Sequence, residues 1–186
     1  MRSFGFLLCF LLSGMAPLPL VSDLADLMDG GPLVVKSDLD SMIFQEKQKI
    51  AINHDPIAER TLAVARSFMG TPYVKGRLDS YQEELLTVNL RELDCWTFVE
   101  NSLAIAQTEQ GDFEDYQSHL QKLRYWGGHI NGYGSRIHYF TGWLLQAEKN
   151  GILEDLTQKM GGIPYRKTIG YISARPAKFP KIKDPK

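Results

Sequence analysis

Leu93-Asp94-Cys95-Trp96-Thr97-Phe98-Val99-Glu100 decides how the rest of this chain is read, because it sets a cysteine at the start of a helix. Asp94 is a good N-cap, and the helix is expected to run from Cys95 to about Gln110, where Gly111 stops it. Trp96, Val99, Leu103 and Ala106 fall on one face, and Phe98 and Ile105 widen that face until little polar surface remains. Such a helix belongs in the centre of a domain. A helix start also carries partial positive charge and unpaired N–H groups, which can support an attacking sulfur and the oxyanion of an acyl-transfer intermediate. From the residues alone, three readings of Cys95 stand: a buried apolar thiol, a bridge between copies, or a nucleophile.

The chain has two cysteines. The other, Cys9, lies in a stretch with the pattern of a signal peptide: a basic start at Met1-Arg2, apolar residues from Phe4 to Leu12, and small or turn-forming residues from Ser13 to Pro19. The apolar run is too short to span a bilayer. Cleavage is expected between Ser13 and Ser22, so residues 1–22 are assigned to the signal and residues 23–186 to a single domain. Cys9 sits too early to be the acylated cysteine of a lipoprotein. The expected location is therefore periplasmic or secreted, without a lipid anchor, and Cys95 would be the lone cysteine of the mature chain.

The formal net charge is -1, and acidic and basic residues are interspersed rather than blocked, which argues against nucleic-acid binding. His54, His119, His129 and His138 lack the i, i+3 or i, i+4 spacing that places two ligands on one helical face. No metal or other cofactor is expected.

Around the cysteine helix, Ser37-Asp38-Leu39-Asp40 reads as a helix start followed by Met42, Ile43, Phe44 and Ile50 at helical spacing. Asp55 offers a cap and Pro56 a first helical position for a second helix, with Leu62, Ala65, Phe68 and Met69 as its apolar stripe and Gly70 as its stop. Thr71 to Gly76 must be extended or turn-like, since Pro72 disfavours helix before it and Gly76 permits a positive φ. Leu85 to Leu90 is a short strand candidate. Asp112 caps a further helix with Phe113, Tyr116, Leu120 and Leu123 inward and Glu114, Gln117, Gln121 and Lys122 toward water. After a glycine-rich loop from Gly127 to Gly134, a last helix is expected from His138 to Asn150. Thr168 to Ser173 is the best strand candidate in the tail.

Phe68-Met69-Gly70-Thr71-Pro72-Tyr73-Val74-Lys75-Gly76 followed by the Asp94-Cys95 segment resembles the NlpC-type branch of papain-like cell-wall hydrolases, in which a helix ending in Gly-x-Pro-Tyr precedes an Asp-Cys at the start of the nucleophile helix. More narrowly, Asp94-Cys95-x-Thr97-Phe98-Val99-Glu100 with Arg136-x-His138-Tyr139-Phe140 and Trp143 is similar to the N-acetylmuramoyl-L-alanine amidase-like family, over roughly residues 55 to 180. The resemblance implies an α+β, papain-like architecture, here mostly its helical half with few strands. It implies hydrolysis of the amide between the lactyl group of N-acetylmuramic acid and L-alanine in muropeptides or peptidoglycan, with Cys95 as nucleophile. Tyr73, Asp94, Arg136 and His138 are its candidate substrate-binding residues. For each, a structural reading stands beside that one: Tyr73 as a half-buried turn residue, Asp94 as a cap, Arg136 and His138 as pins between the glycine-rich loop and the next helix. Relatives of this branch carry their catalytic histidine on a later strand, so the domain is expected to be incomplete at its C-terminus. Cleavage of the stem peptide at the D-glutamyl bond, and a non-catalytic muropeptide-binding fragment, are the alternative functions.

Overall fold

The protein is described by a computed structural model covering residues 34–172 and 174–181. The expected signal segment, Cys9 included, lies outside the described residues. The elements in chain order are β1 (Val34–Val35), α1 (Asp38–Ala51), α2 (Ile57–Ser67), β2 (Leu86–Thr87), α3 (Cys95–Gln107), α4 (Phe113–Arg124) and α5 (Phe140–Lys149), with short 3-10 turns at Arg77–Asp79, Trp126–Gly128 and Tyr133–Ser135. β1 and β2 pair in parallel, Val34 with Leu86 and Val35 with Thr87. Among the described residues no helix is long and apolar enough to cross a membrane.

Each helix is set by its first turn. In α1, Ser37 and Asp40 form a reciprocal capping box, and Asp40, fully buried, also accepts from the Leu90 N–H at 2.9 Å and from Arg91 Nε at 3.2 Å. One carboxylate thus closes a helix start and anchors the segment leading to Cys95. In α4, Asp112 and Asp115 form the same box. α2 departs from expectation. Pro56, not Asp55, holds the N-cap position, and no side chain caps the helix. Its inward residues are Val64 and Phe68, while Leu62 and Met69 are exposed, because the stripe faces α1 and α3 along a line one residue off the expected one.

α3 packs against α1, α2 and α4, as a central helix should. Its buried face is only in part the apolar one expected. Thr97, Glu100, Asn101 and Ser102 are buried beside Ala104, Ile105 and Ala106, whereas Val99 is 37% exposed. The polar groups are paired within the core: Tyr116 donates to Asn101 Oδ1 at 2.6 Å, and Ser102 donates to the Phe98 carbonyl at 2.7 Å. Glu100 meets Arg124 at 2.8 Å with both side chains 1% exposed. Burial alone would lower the pKa of that guanidinium, but the Glu100 charge beside it holds it above its usual value.

The remaining carboxylate oxygen of Glu100 accepts from Trp96 Nε1 at 2.8 Å, and Arg124 Nη1 donates to the Thr87 carbonyl at 2.6 Å. Helices α3 and α4 and strand β2 are therefore held by one buried network. α4 is accordingly less of a surface helix than expected, with Gln117 and Arg124 buried alongside Tyr116, Leu120 and Leu123. An aromatic cluster of Phe44, Phe113 and Tyr116, with centroids 5.1 to 5.4 Å apart, joins α1 to α4.

In the tail, the strand expected at Thr168–Ser173 is absent: residues 168–172 form no strand, and Ser173 is outside the described residues. Ile169 and Tyr171 are half exposed with no neighbouring strand to pair among the described residues, and the Ala174 N–H donates to the Gly170 carbonyl at 2.9 Å to form a turn.

Removing one member of a buried ion pair leaves the other charge unpaired, at a cost of about 3–5 kcal/mol. Glu100→Leu is expected to lower stability by that order in urea unfolding, and Glu100→Leu with Arg124→Met to recover part of the loss. Recovery should stay incomplete, since the Thr87 carbonyl and the Trp96 N–H lose their partners. A single variant as stable as the parent would contradict the network.

Candidate active site

The start of α3 is positioned from the outside by the Gly-x-Pro-Tyr segment. The Val74 N–H donates to the Leu93 carbonyl and the Leu93 N–H to the Pro72 carbonyl, both at 3.0 Å, so that Tyr73 and Leu93 form a parallel bridge. Gly76 turns this segment away with φ 80°, the left-handed conformation its position was expected to need. Asp94 then caps the helix. Its Oδ1 accepts from the Thr97 N–H and from Thr97 Oγ1, each at 2.8 Å, while its own N–H donates to Thr97 Oγ1 at 2.9 Å. Thr97 is thereby the reciprocal half of a capping box that uses a hydroxyl where Glu or Gln is more usual. The cap leaves Cys95 as the first helical residue, with its thiol exposed.

Cys95 lines an open groove of about 150 Å³ together with Trp96, Val99, Phe140 and Trp143. Its walls are aromatic and ordered by contacts behind them. Phe140 meets Trp96 edge-on at 5.9 Å and lies nearly parallel to Trp143 at 5.9 Å, 7° apart. Trp96 is oriented by its N–H bond to Glu100, so the buried ion pair fixes one wall of the groove. Among the described residues, no charged side chain lines it.

The four candidate substrate-binding residues separate. Tyr73 is beside the helix start through its bridge to Leu93, and its ring is 67% exposed with no hydrogen bond to Asp94. At that exposure it is not the half-buried turn residue that was the alternative to substrate contact. Asp94 is the helix cap, its Oδ1 accepting twice from Thr97.

Arg136, read from sequence either as a substrate contact or as a pin of the glycine-rich loop, is buried and faces carboxylates of its own chain: it pairs with Asp79, and its Nε lies 3.4 Å from Glu84 Oε1. It also lies over the Tyr133 ring at 4.9 Å. It pins the glycine-rich loop, though to residues 79 to 84 rather than to the following helix. Burial raises the pKa of Glu84, against the pull of Arg136 and of the Tyr125 hydroxyl that donates to it at 3.0 Å.

His138 does not begin a helix. Tyr139 is the N-cap and α5 starts at Phe140, because the His138 Nε2–H is turned back to the Tyr133 carbonyl at 2.7 Å and its ring lies 4.3 Å from that of Tyr133. None of Tyr73, Arg136 and His138 lines the Cys95 groove. Among the described residues, no histidine hydrogen-bonds the Cys95 thiol. The Glu100–Arg124 pair was missed from sequence. Its signal was an acid four residues after Trp96, on a helix otherwise almost free of charge.

The sequence profile of a family described as N-acetylmuramoyl-L-alanine amidase-like, or AmiA-like, matches residues 63–185. Three solved structures are similar. An N-acetylmuramoyl-L-alanine amidase from Bacteroides uniformis ATCC 8492 shares 30% identity over 75% of this chain and 55% of its own, with a TM-score of 0.61. A second structure of an amidase so named from the same organism shares 36% identity over 63% of this chain and 52% of its own, with a TM-score of 0.59. A Bacteroides fragilis protein, provisionally described as a xylanase, shares 35% identity over 66% of this chain and 55% of its own, with a TM-score of 0.57. The chain spans about half the length of the solved structures that it matches. No curated protein gives a significant match.

Two outcomes follow from the geometry. Asp94→Ala is expected to cost about 1 kcal/mol in thermal or urea unfolding and Asp94→Asn much less, since an amide oxygen still caps. An equal loss in both would mean that the charge rather than the cap matters. Burial, the largest influence on both, lowers the pKa of His138 and of His119 from the usual 6.5. The unfolded chain therefore takes up these protons first as pH falls through about 6.5, and the folded state loses stability from there until pH passes the lowered folded values. Stability should be lower at pH 5.5 than at 7.5, and His138→Gln should reduce that difference. An unchanged difference in the variant would contradict the burial of His138.

Proposed function

Because the chain belongs to the N-acetylmuramoyl-L-alanine amidase-like family, we propose that it takes part in hydrolysis of the amide between N-acetylmuramic acid and L-alanine in peptidoglycan fragments, with Cys95 as the nucleophile. The observation that carries this reading is an exposed thiol on the first residue of a capped central helix, opening on a groove. A papain-like arrangement of the NlpC type, in a secreted or periplasmic protein, is part of the same proposal.

The thiol of Cys95 gives its proton to a base, and its sulfur adds to the lactyl carbonyl carbon. The oxygen of that carbonyl takes the negative charge. N–H groups of the first helical turn have no partner within the helix, and the Asp94 cap occupies that of Thr97, leaving those ahead of it to face the oxyanion. Collapse breaks the C–N bond, and the amine of L-alanine leaves with the proton. Water then adds to the thioester, releases the lactyl carboxylate and restores the thiol. In this reading His138 does not supply the base, since its Nε2 is engaged by a backbone carbonyl and the ring does not border the groove.

Mass spectrometry of the products from a defined N-acetylmuramoyl-peptide tests the proposal. Release of a peptide beginning at L-alanine is expected, with Cys95→Ala slower by on the order of 1000-fold or more. Cuts within the stem peptide would replace the amidase reading with the endopeptidase one. A folded protein that binds the muropeptide without cleaving it would favour the non-catalytic reading.

A further inference from the structure

The formal charge near zero hides an uneven distribution along the chain. Residues 157–186 hold eight Lys and Arg against a single acidic residue, Asp184, whereas the 156 residues before them hold thirteen basic and twenty-one acidic ones. A basic tail on an acidic body is the pattern of contact with an anionic surface. The cations are available for it. Arg166, Lys167, Arg175 and Lys178 are exposed, and among the described residues none of them forms an ion pair, whereas Lys159 is paired with Glu154.

The same stretch exposes apolar side chains. Met160, Ile163 and Tyr165 are 83%, 87% and 83% exposed, and three such residues within six positions are more than the isolated surface hydrophobe that any protein carries. The loop that presents them is closed by its own backbone: the Met160 N–H donates to the Leu156 carbonyl at 2.9 Å and the Gly162 N–H to the Thr157 carbonyl at 2.7 Å. Arg166 and Lys167 follow directly in sequence. Further along, Arg175 lies over the Tyr171 ring at 4.0 Å and Lys178 Nζ donates to its hydroxyl at 3.2 Å, so two cations share one half-exposed ring.

The two features together select the partner. A nucleic acid or another polyanion in water would meet the cations but leave Met160 and Ile163 in solvent, and the Tyr171 face that could stack on a base already carries Arg175. A bilayer interface takes both kinds of side chain at once. We propose that this tail is a docking surface for a bilayer rich in anionic phospholipid, with Met160, Ile163 and Tyr165 entering the interface and Arg166, Lys167, Arg175 and Lys178 meeting headgroup phosphates. Neither part suffices alone, since one weak signal gives only marginal attachment and two give a stable one. The acidic body is repelled by the same surface, which turns the tail toward it. No described helix is long and apolar enough to cross the membrane, so the attachment is peripheral and reversible. It does not depend on the reaction at Cys95.

The apolar run from Phe4 to Leu12 would itself bind lipid, so the test uses residues 23–186, the form that the expected signal cleavage leaves. The protein is expected to sediment with vesicles of phosphatidylglycerol mixed with phosphatidylethanolamine and not with vesicles of phosphatidylcholine. Raising salt from about 0.1 M to about 0.5 M should weaken the binding. Arg166→Gln with Lys167→Gln should weaken it by about tenfold or more, and Met160→Ser with Ile163→Ser by a similar factor. In a Tyr165→Trp protein, anionic vesicles should move the emission to shorter wavelength by more than in the parent.

A parent protein left in the supernatant with anionic vesicles would overturn the proposal. Equal binding to phosphatidylcholine would do the same, as would double variants, folded by circular dichroism, that bind as the parent does. Binding to duplex DNA without binding to vesicles would make the tail a general polyanion site. Self-association lost in Arg166→Gln with Lys167→Gln, again without vesicle binding, would make it a contact with the acidic body of a second copy. Cleavage of a soluble muropeptide should be unaltered in these variants, so the membrane reading and the amidase reading fail separately.

Discussion

The buried ion pair between Glu100 and Arg124 is the constraint on which the rest of this structure depends. It sits where α3, α4 and β2 meet, and it reaches further on both sides: one oxygen of Glu100 accepts from the Trp96 indole, and one nitrogen of Arg124 donates to the Thr87 carbonyl. The Arg124 carbonyl in turn accepts from the Ile137 N–H, which fixes the chain just before α5. Two charges in a dry core do not stabilise a fold by much on their own, because desolvation consumes most of their attraction. What they confer here is a single arrangement. Any slip of α3 along its axis would strand both charges, so the register of the helix that presents Cys95 is set from inside the core.

From that pair outward, the motif around Cys95 resolves into separate physical tasks. Asp94 closes the helix start, Thr97 completes the capping box, and Glu100 anchors the first turns to the core one helical repeat further in. Trp96 and Val99, at the positions between, are left to face the groove. The cap determines that Cys95 is the first helical residue, and the ion pair determines which way that helix points. The exposed thiol and the ordered aromatic wall beside it are consequences of the two together. A second polar layer, with Glu84, Arg136, Asp79 and the Tyr125 hydroxyl, plays the same part for the glycine-rich loop.

Much of the architecture was legible in the residues where local rules decide. The caps at Ser37, Asp94 and Asp112 were all marked by side chains that can accept an N–H bond, and their helices begin there. The extended Thr71–Gly76 segment followed from Pro72 and Gly76, and the short strand near Leu86 from its β-prone run. Illegible were the features that exist only by virtue of distant partners. The inward face of α3 carries Glu100, Asn101 and Ser102 because Arg124, Tyr116 and the helix backbone satisfy them, and no periodicity in α3 alone could show that. The partners of Arg136 could not be read either, since Asp79 and Glu84 lie more than fifty residues away in sequence. His138 fell two residues outside its helix for a similar reason: the Tyr133 carbonyl draws it back into the loop. The family profile and the solved relatives carry the amidase-like assignment, while the thiol's chemical role rests on its place at the helix start.

The most direct measurement of the central claim is rapid quenching of the protein with an N-acetylmuramoyl-peptide in excess, followed by intact-mass and peptide mapping. The account predicts a transient adduct on the peptide containing Cys95, with the mass of the muramoyl acyl group and without the stem peptide. An adduct carrying stem-peptide mass, or release of the L-alanyl peptide with Cys95 replaced by alanine, would contradict it.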